Sequence, residues 1–196
     1  CSMCGRFNVI DSPGLQQLLR DLGIDLRLPG AVNIAPTEQV ALGRGPAGDR
    51  ELASARWWLT PSWAQEVDQK YSMFNARCET LGSSPAFRGP FRSRRGIVPM
   101  SSFIEWRQEG AAKQPWLITN EAGALAVAAL WDLWQGGAGT LLSCTLVTTA
   151  AAPMTRTAGA IGTGGFKYLL IAPAVFILLA FGLSLDPKAS MLEADP

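Results

Sequence analysis

The sequence predicts an α+β fold, a curved antiparallel sheet or partial β-barrel with flanking helices, in one domain. Short apolar runs separated by Gly, Pro and polar turns recur from Val40 to Thr148, which is strand punctuation. Few segments carry helical spacing, so the strands must supply most of the core. The chain has 196 residues, enough for one compact domain with a sizeable core.

Taken in order, Ser12-Pro13 followed by Leu15, Leu18, Leu19 and Leu22 reads as a capped amphipathic helix ending near Gly23. Asn33 to Thr37 reads as a loop, with Pro36 holding an extended turn. Val40 to Leu42 and Ala55 to Leu59 read as short strands, and Thr60-Pro61-Ser62 opens a helical turn through Trp63 and Ala64. Gly96 to Pro99, Ser102 to Trp106, Trp116 to Thr119, Leu125 to Leu130 and Leu141 to Thr148 are further strands. The Gly-rich pieces at 136–139 and 162–165 lack the Lys-Ser/Thr of a phosphate loop and read as turns. Tyr168 to Leu185 carries no charge, the length at which a membrane helix becomes a candidate. Pro173 divides it, so a buried strand followed by a packed helix is the preferred reading over a membrane anchor.

A formal net charge of +1 gives no whole-molecule attraction to an anion, so any nucleic-acid contact must be local. Four cysteines are too few for a disulfide scaffold, which points to a reducing cytoplasm. Cys1 and Cys4 form a C-x-x-C pair that could begin a zinc or redox site. With no histidine in the chain, zinc would also need Cys78 and Cys144. No bound metal or cofactor is expected. Residues 1–7 lack the basic and apolar regions of a secretory signal.

Polar groups that a plain core would not require fall in four stretches. In Cys4-Gly5-Arg6 a guanidinium beside a thiol favours the thiolate, the reactive form. In Asn75 to Thr80, an extended chain would point Asn75, Arg77 and Glu79 to one face, as a site wall or a solvated sheet face. Glu105 lies among Phe103, Ile104 and Trp106. Burial there would raise its pKa toward acid/base range, unless it pairs with Arg77 or Arg107. Arg88, Arg92, Arg94 and Arg95 are interleaved with Phe87 and Phe91, and no acidic residue occurs from Leu81 to Ile104. Such a run is either a solvated loop or a contact for phosphates and unstacked bases.

Several stretches, read together and in order, resemble the SOS-response-associated peptidase (SRAP) family. They are Cys4-Gly5-Arg6-Phe7, NIAPT (33–37), RWWLTPSW (56–63), NARCET (75–80), RRGIVP (94–99), FIEW (103–106), KQPW (113–116), ALAVAALWDLW (124–134) and the strand end from Leu146 to Thr149. The resemblance runs collinearly from residue 3 to about residue 150, weak in each motif and specific in their combined spacing.

What the resemblance implies is a single domain around a barrel-like sheet with a positively charged groove. The partner would be single-stranded DNA containing abasic sites, the setting the DNA-damage response, the protein a monomer without cofactor. Cys4, following Met3, matches the nucleophile that self-removal of the preceding residues exposes. Its amine and thiol would form a thiazolidine with the ring-opened abasic sugar. Asn75 and Glu105 match the active-site amide and carboxylate. Arg6 and Arg77 match phosphate-binding arginines, and Trp106 an aromatic beside exposed bases. Arg88, Arg92, Arg94, Arg95 and Thr149 complete the expected DNA-binding set.

The chain departs from the family at two places. Cys1-Ser2-Met3 precede Cys4, so its amine is free only once that leader, or expression remnant, is gone. The family's I-H-x-R-M-P stretch has no counterpart, since 154–167 reads MTRTAGAIGTGGFK. Two other functions follow from the same residues. One is a non-catalytic single-strand-binding module. The other is a self-processing cysteine peptidase without crosslinking activity, because no histidine is available to activate the thiol against other proteins.

Overall fold

Residue type dictates the first helix. The Ser12 hydroxyl accepts from the Leu15 amide at 3.2 Å and Pro13 occupies the first turn, where no amide is needed. The helix, α1, spans Pro13–Asp21 and buries Leu15 and Leu19. Gly23 then takes φ 74°, a left-handed conformation that ends a helix cheaply in glycine. Gly14 has no room for a side chain, because a Cβ would meet the Ala122 carbonyl oxygen at 1.8 Å. The helix can therefore lie directly on the turn that holds Ala122.

The computed structural model describes residues 5–46, 49–137, 139–148, 158–160 and 167–170. Its strands are β1 (Arg6–Val9), β2 (Ala31–Ile34), β3 (Gln39–Arg44), β4 (Glu51–Trp57), β5 (Asn75–Arg77), β6 (Arg95–Met100), β7 (Ser102–Glu109), β8 (Ala112–Thr119), β9 (Leu125–Gly136), β10 (Gly139–Thr148), β11 (Ala158–Ala160) and β12 (Lys167–Leu170). A second helix, α2, spans Arg88–Ser93. One sheet runs β11-β12-β8-β7-β1-β2, the other β4-β3-β6-β9-β10-β5.

The second sheet closes on itself. β10 pairs in parallel with β4 at Ser143 to Arg56 and Cys144 to Trp57, so β4, β3, β6, β9 and β10 form a five-stranded barrel. Farther along β10 the same edge passes to β5, with Leu146 opposite Asn75 and Thr148 opposite Arg77. Cys144 and Leu146 face the main core with Trp57, Leu42 and Ile97. Val147 faces the other way, into a smaller cluster with Ala76, Leu81, Ala128 and Leu130, which Phe87 and Phe91 cover. The strand alternation thus builds one core inside the barrel and another beneath α2. β6 and β7 run on from one another through Ser101, whose amide donates to the Asn8 carbonyl at 2.8 Å, and so join the two sheets into one domain.

The α+β architecture and the barrel agree with the sequence, as do α1 and the five later strands. Asn33 and Ile34 correct it, being the end of β2 rather than loop. The 75–80 stretch is extended only to Arg77, and Cys78–Thr80 turn into a 3-10 helix. Asn75 and Ala76 are both buried while Arg77 is exposed, so the single polar face expected of Asn75, Arg77 and Glu79 does not form. Of the Phe-Arg run, Arg88 to Ser93 form α2, Arg94 caps it and Arg95 opens β6. Tyr168–Leu170 is strand, as expected, pairing in parallel with β8, while 171–185 lies outside the described residues. No described helix is long and apolar enough to cross a membrane.

Candidate functional site

β1 is the strand on which the site is assembled. It lies between β2 and β7, with Arg6 opposite Ile104 and Phe7 opposite Phe103 on β7. The next residue of β7 is Glu105, whose other neighbour across the sheet is the buried Trp116 on β8. Glu105 is half-buried, and loss of solvent pushes its carboxyl up from 4.5 to about 7. A guanidinium partner would act in the opposite direction, and no ion pair joins Glu105 to Arg77 among the described residues. The group can therefore hold or release a proton near neutral pH, one of the two outcomes the sequence left open. Trp106, next in the strand, is 43% exposed.

Arg6 is half-buried and donates from Nη1 to the Asn33 carbonyl at 3.3 Å. Asn8, on the same face two residues on, accepts from the Asn33 amide at 2.8 Å and donates to the Ser102 hydroxyl at 3.0 Å. These bonds lock the end of β2 to β1 and β7. Phe7, on the opposite face, meets Trp57 edge-on at 5.1 Å, and Trp57 meets Phe74 edge-on at 6.0 Å. The Trp57 indole donates to the Phe74 carbonyl at 2.8 Å, and that carbonyl also accepts from the Leu146 amide at 2.9 Å. Phe74 is fixed from two sides, and the buried Asn75 follows it directly. The aromatic ladder thus ties the strand of Arg6 to the strand of Asn75.

Arg77 is exposed at the end of β5, opposite Thr148. Arg88 and Arg92 are exposed on α2, while Arg94 and Arg95 are half-buried. Because α2 covers Ala76 through Phe87 and Phe91, the basic helix sits on the flank of the strand that carries Arg77. Arg94 differs from the others. Its Nε lies 3.2 Å from Oδ1 of Asp132, whose side chain is only 3% exposed. Asp132 also accepts from the Ser62 amide at 3.0 Å and the Leu133 amide at 2.8 Å. Arg94 thereby holds the start of β6 and the turn before Trp63 against β9. Cys4 and Thr149 lie outside the described residues.

Sequence reasoning passed over Asp132 and Trp57 as working residues. The signal for Asp132 was available, since it occupies a buried-face position of an otherwise apolar strand. The cysteines that a zinc site would need are separated. Cys144 is sealed in the main core, its thiol pushed up to about 12 by burial, whereas Cys78 packs on the smaller cluster. Among the described residues no group of three or more His, Cys, Asp or Glu could hold a metal.

Comparison with known proteins gives a consistent result. The family profile of the SOS response associated peptidase (SRAP) matches residues 3–158. The abasic site processing protein YoqW of Bacillus subtilis is 34% identical over 155 residues, covering 75% of this chain and 68% of the relative. The abasic site processing protein YMR114C of Saccharomyces cerevisiae is 32% identical over 162 residues, covering 66% of this chain and 44% of the relative. A crystal structure of a protein from Bordetella bronchiseptica superposes with a TM-score of 0.69 at 21% identity, covering 98% of this chain and 94% of that one, and supports the fold alone. The chain belongs to the SOS response associated peptidase (SRAP) family.

Proposed function

We propose that this protein processes abasic sites in DNA by binding the single strand and linking covalently to the ring-opened abasic sugar through Cys4. The observation that carries the reading is the carboxyl of Glu105, held near pKa 7 by burial beside the strand into which Cys4 leads. Continuing the Arg6 to Ile104 register by one residue would set Gly5 across from Glu105. Cys4 is the residue before Gly5 in the sequence.

The chemistry needs a free amine, a thiol and a group that can both give and take a proton. Hydrolysis of the Met3-Cys4 peptide bond would expose the amine. The amine then attacks the aldehyde carbon, and protonated Glu105 donates to the departing hydroxyl, which leaves as water. The thiolate adds to the resulting imine carbon, the nitrogen takes up a proton, and a thiazolidine ring is complete. Since the chain has no histidine, these proton transfers fall to Glu105. Asn75 would orient the sugar or the amine from its buried position. Arg6, Arg77, Arg88 and Arg92 would meet phosphates, and Trp106 a base. Arg94 is left out of that set because Asp132 already engages it.

The test is incubation with a single-stranded oligonucleotide carrying one abasic site, followed by denaturing electrophoresis. A covalent band should form with the parent and be absent with Cys4→Ala, which should still bind the strand reversibly. Reversible binding by the parent with no covalent band would favour a non-catalytic binding module, the reading that the missing family histidine suggests.

A further inference from the structure

An indole in water is ordinary on a loose loop, but the backbone that carries Trp63 is held on both sides. Trp63 is 66% exposed, and among the described residues no aromatic ring or cation packs on it. Before it, the Ser62 amide donates to Oδ2 of Asp132 at 3.0 Å. After it, the Ala64 carbonyl accepts from the Trp134 indole at 2.8 Å. Asp132 and Trp134 are alternate residues of β9 and both are buried, so one face of that strand grips both neighbours of Trp63. The Thr60 amide donates to the Ser143 hydroxyl on β10 at 2.8 Å, and the Ala64 amide closes the turn on the Pro61 carbonyl at 2.9 Å. Gly136 makes room for the grip, because a Cβ there would meet the Trp134 ring at 2.3 Å. The Asp132 side chain is 3% exposed and faces Arg94. Apolar groups in place of a buried ion pair are often neutral or stabilising, so a retained pair points to placement rather than to stability.

The same carboxylate and the same segment reach the residues of the candidate site. The segment that carries Trp63 is tied across its base by the Leu59 amide, which donates to the Met73 carbonyl at 3.1 Å, just before Phe74 and the buried Asn75. Arg94, the other partner of Asp132, caps α2, where Arg88 and Arg92 are exposed. An open indole face is thus fixed to the same frame as two solvent-facing guanidinium groups. Unpaired bases stack on aromatic faces while cations follow the phosphates. We propose that Asp132 and Trp134 are positioning residues that hold Trp63 as a stacking face for an unpaired base of the bound strand. The inference rests on single-strand binding in the proposed function.

Affinity for an undamaged oligothymidylate strand, read by fluorescence anisotropy, tests the proposal. Trp63→Ala is a surface change that should keep the fold and weaken binding about tenfold, the loss of one base-aromatic stack. Trp134→Phe removes only the donor to Ala64 and should weaken binding about threefold, the size of one hydrogen bond. In a Trp63→Ala background it should cause no further loss, because it acts through that indole alone. Asp132→Ala and Asp132→Asn both release Arg94, but only asparagine leaves the Ser62 amide an oxygen. The asparagine variant should bind about threefold more tightly than the alanine variant, a comparison that stands even if Trp134→Phe fails to fold. Parent-like binding by Trp63→Ala would overturn the proposal. So would a Trp134→Phe loss that persists in full without Trp63, or equal affinities for the two Asp132 variants, since the clamp would then serve packing only. If the parent binds the strand but does not crosslink to an abasic one, the proposed chemistry fails while these comparisons still judge the clamp. If the parent does not bind the strand at all, both fall.

Discussion

Glu105 stands mid-strand in β7 with Ile104 before it, Trp106 after it and Trp116 across from it. Partial burial pushes its carboxyl up to about 7. The consequence for stability has a definite sign. The folded state holds the proton from 4.5, the ordinary value, up to about 7, while the unfolded state has already released it. The folded protein therefore loses stability as pH rises through that window, and the full cost is present above 7. Glu105→Gln, which cannot ionise, should melt higher than the parent at pH 8 and equally at pH 4. The difference should be about 1 kcal/mol after allowance for partial solvent screening. The same variant should crosslink roughly 10²–10⁴-fold more slowly, the usual cost of losing one positioned acid or base. Calorimetry at the two pH values and a crosslinking time course check both. The sequence disclosed this residue because a carboxylate among aromatic residues in a strand is conspicuous. It did not disclose Asp132, which sits two positions from Leu130 on the same strand and is equally anomalous.

At the scale of the element, the Arg run divides by burial. Arg88 and Arg92 project from α2 into solvent, whereas Arg94 closes on Asp132. Asp132→Ala would leave the Arg94 guanidinium and the Ser62 amide without their shared acceptor. It should cost about 3 kcal/mol in denaturant unfolding, in the range for breaking a largely buried pair. Arg92→Ala should leave stability within about 0.5 kcal/mol, as for other surface changes. Its effect should appear in DNA binding, where the slope of log affinity against log salt should fall by about one. Strands were legible because alternation and turn residues mark them. α2 was not, since Gly89 and Pro90 lie inside it and only packing of Phe87 and Phe91 over Ala76 and Leu81 makes it a helix. The turn at 75–80 failed for a related reason, as strand pairing with β10 ends at Arg77 and nothing beyond it holds the chain extended.

The whole molecule depends on closure of the barrel around Trp57. This ring meets Phe7 and Phe74, its indole bonds the Phe74 carbonyl, and its backbone joins both β10 and the turn at Thr37 and Glu38. Trp57→Ala should destabilise the fold by about 3–5 kcal/mol and is expected to disturb Arg6 and Asn75 together. The sequence could place Trp57 in a strand but not at this junction, because the parallel β4 to β10 pairing joins segments more than eighty residues apart. The α+β class was legible from periodicity, whereas the site's membership came from resemblance in motif order. In the proposed function Cys4, freed of the residues before it, closes a thiazolidine on an abasic sugar. Intact-mass spectrometry of the protein after incubation with an abasic single-stranded oligonucleotide tests it most directly. The expected species has the mass of the chain from Cys4 onward plus the oligonucleotide minus one water, and is stable without added reductant. An adduct that keeps Cys1-Ser2-Met3, or one formed without loss of water, would contradict it.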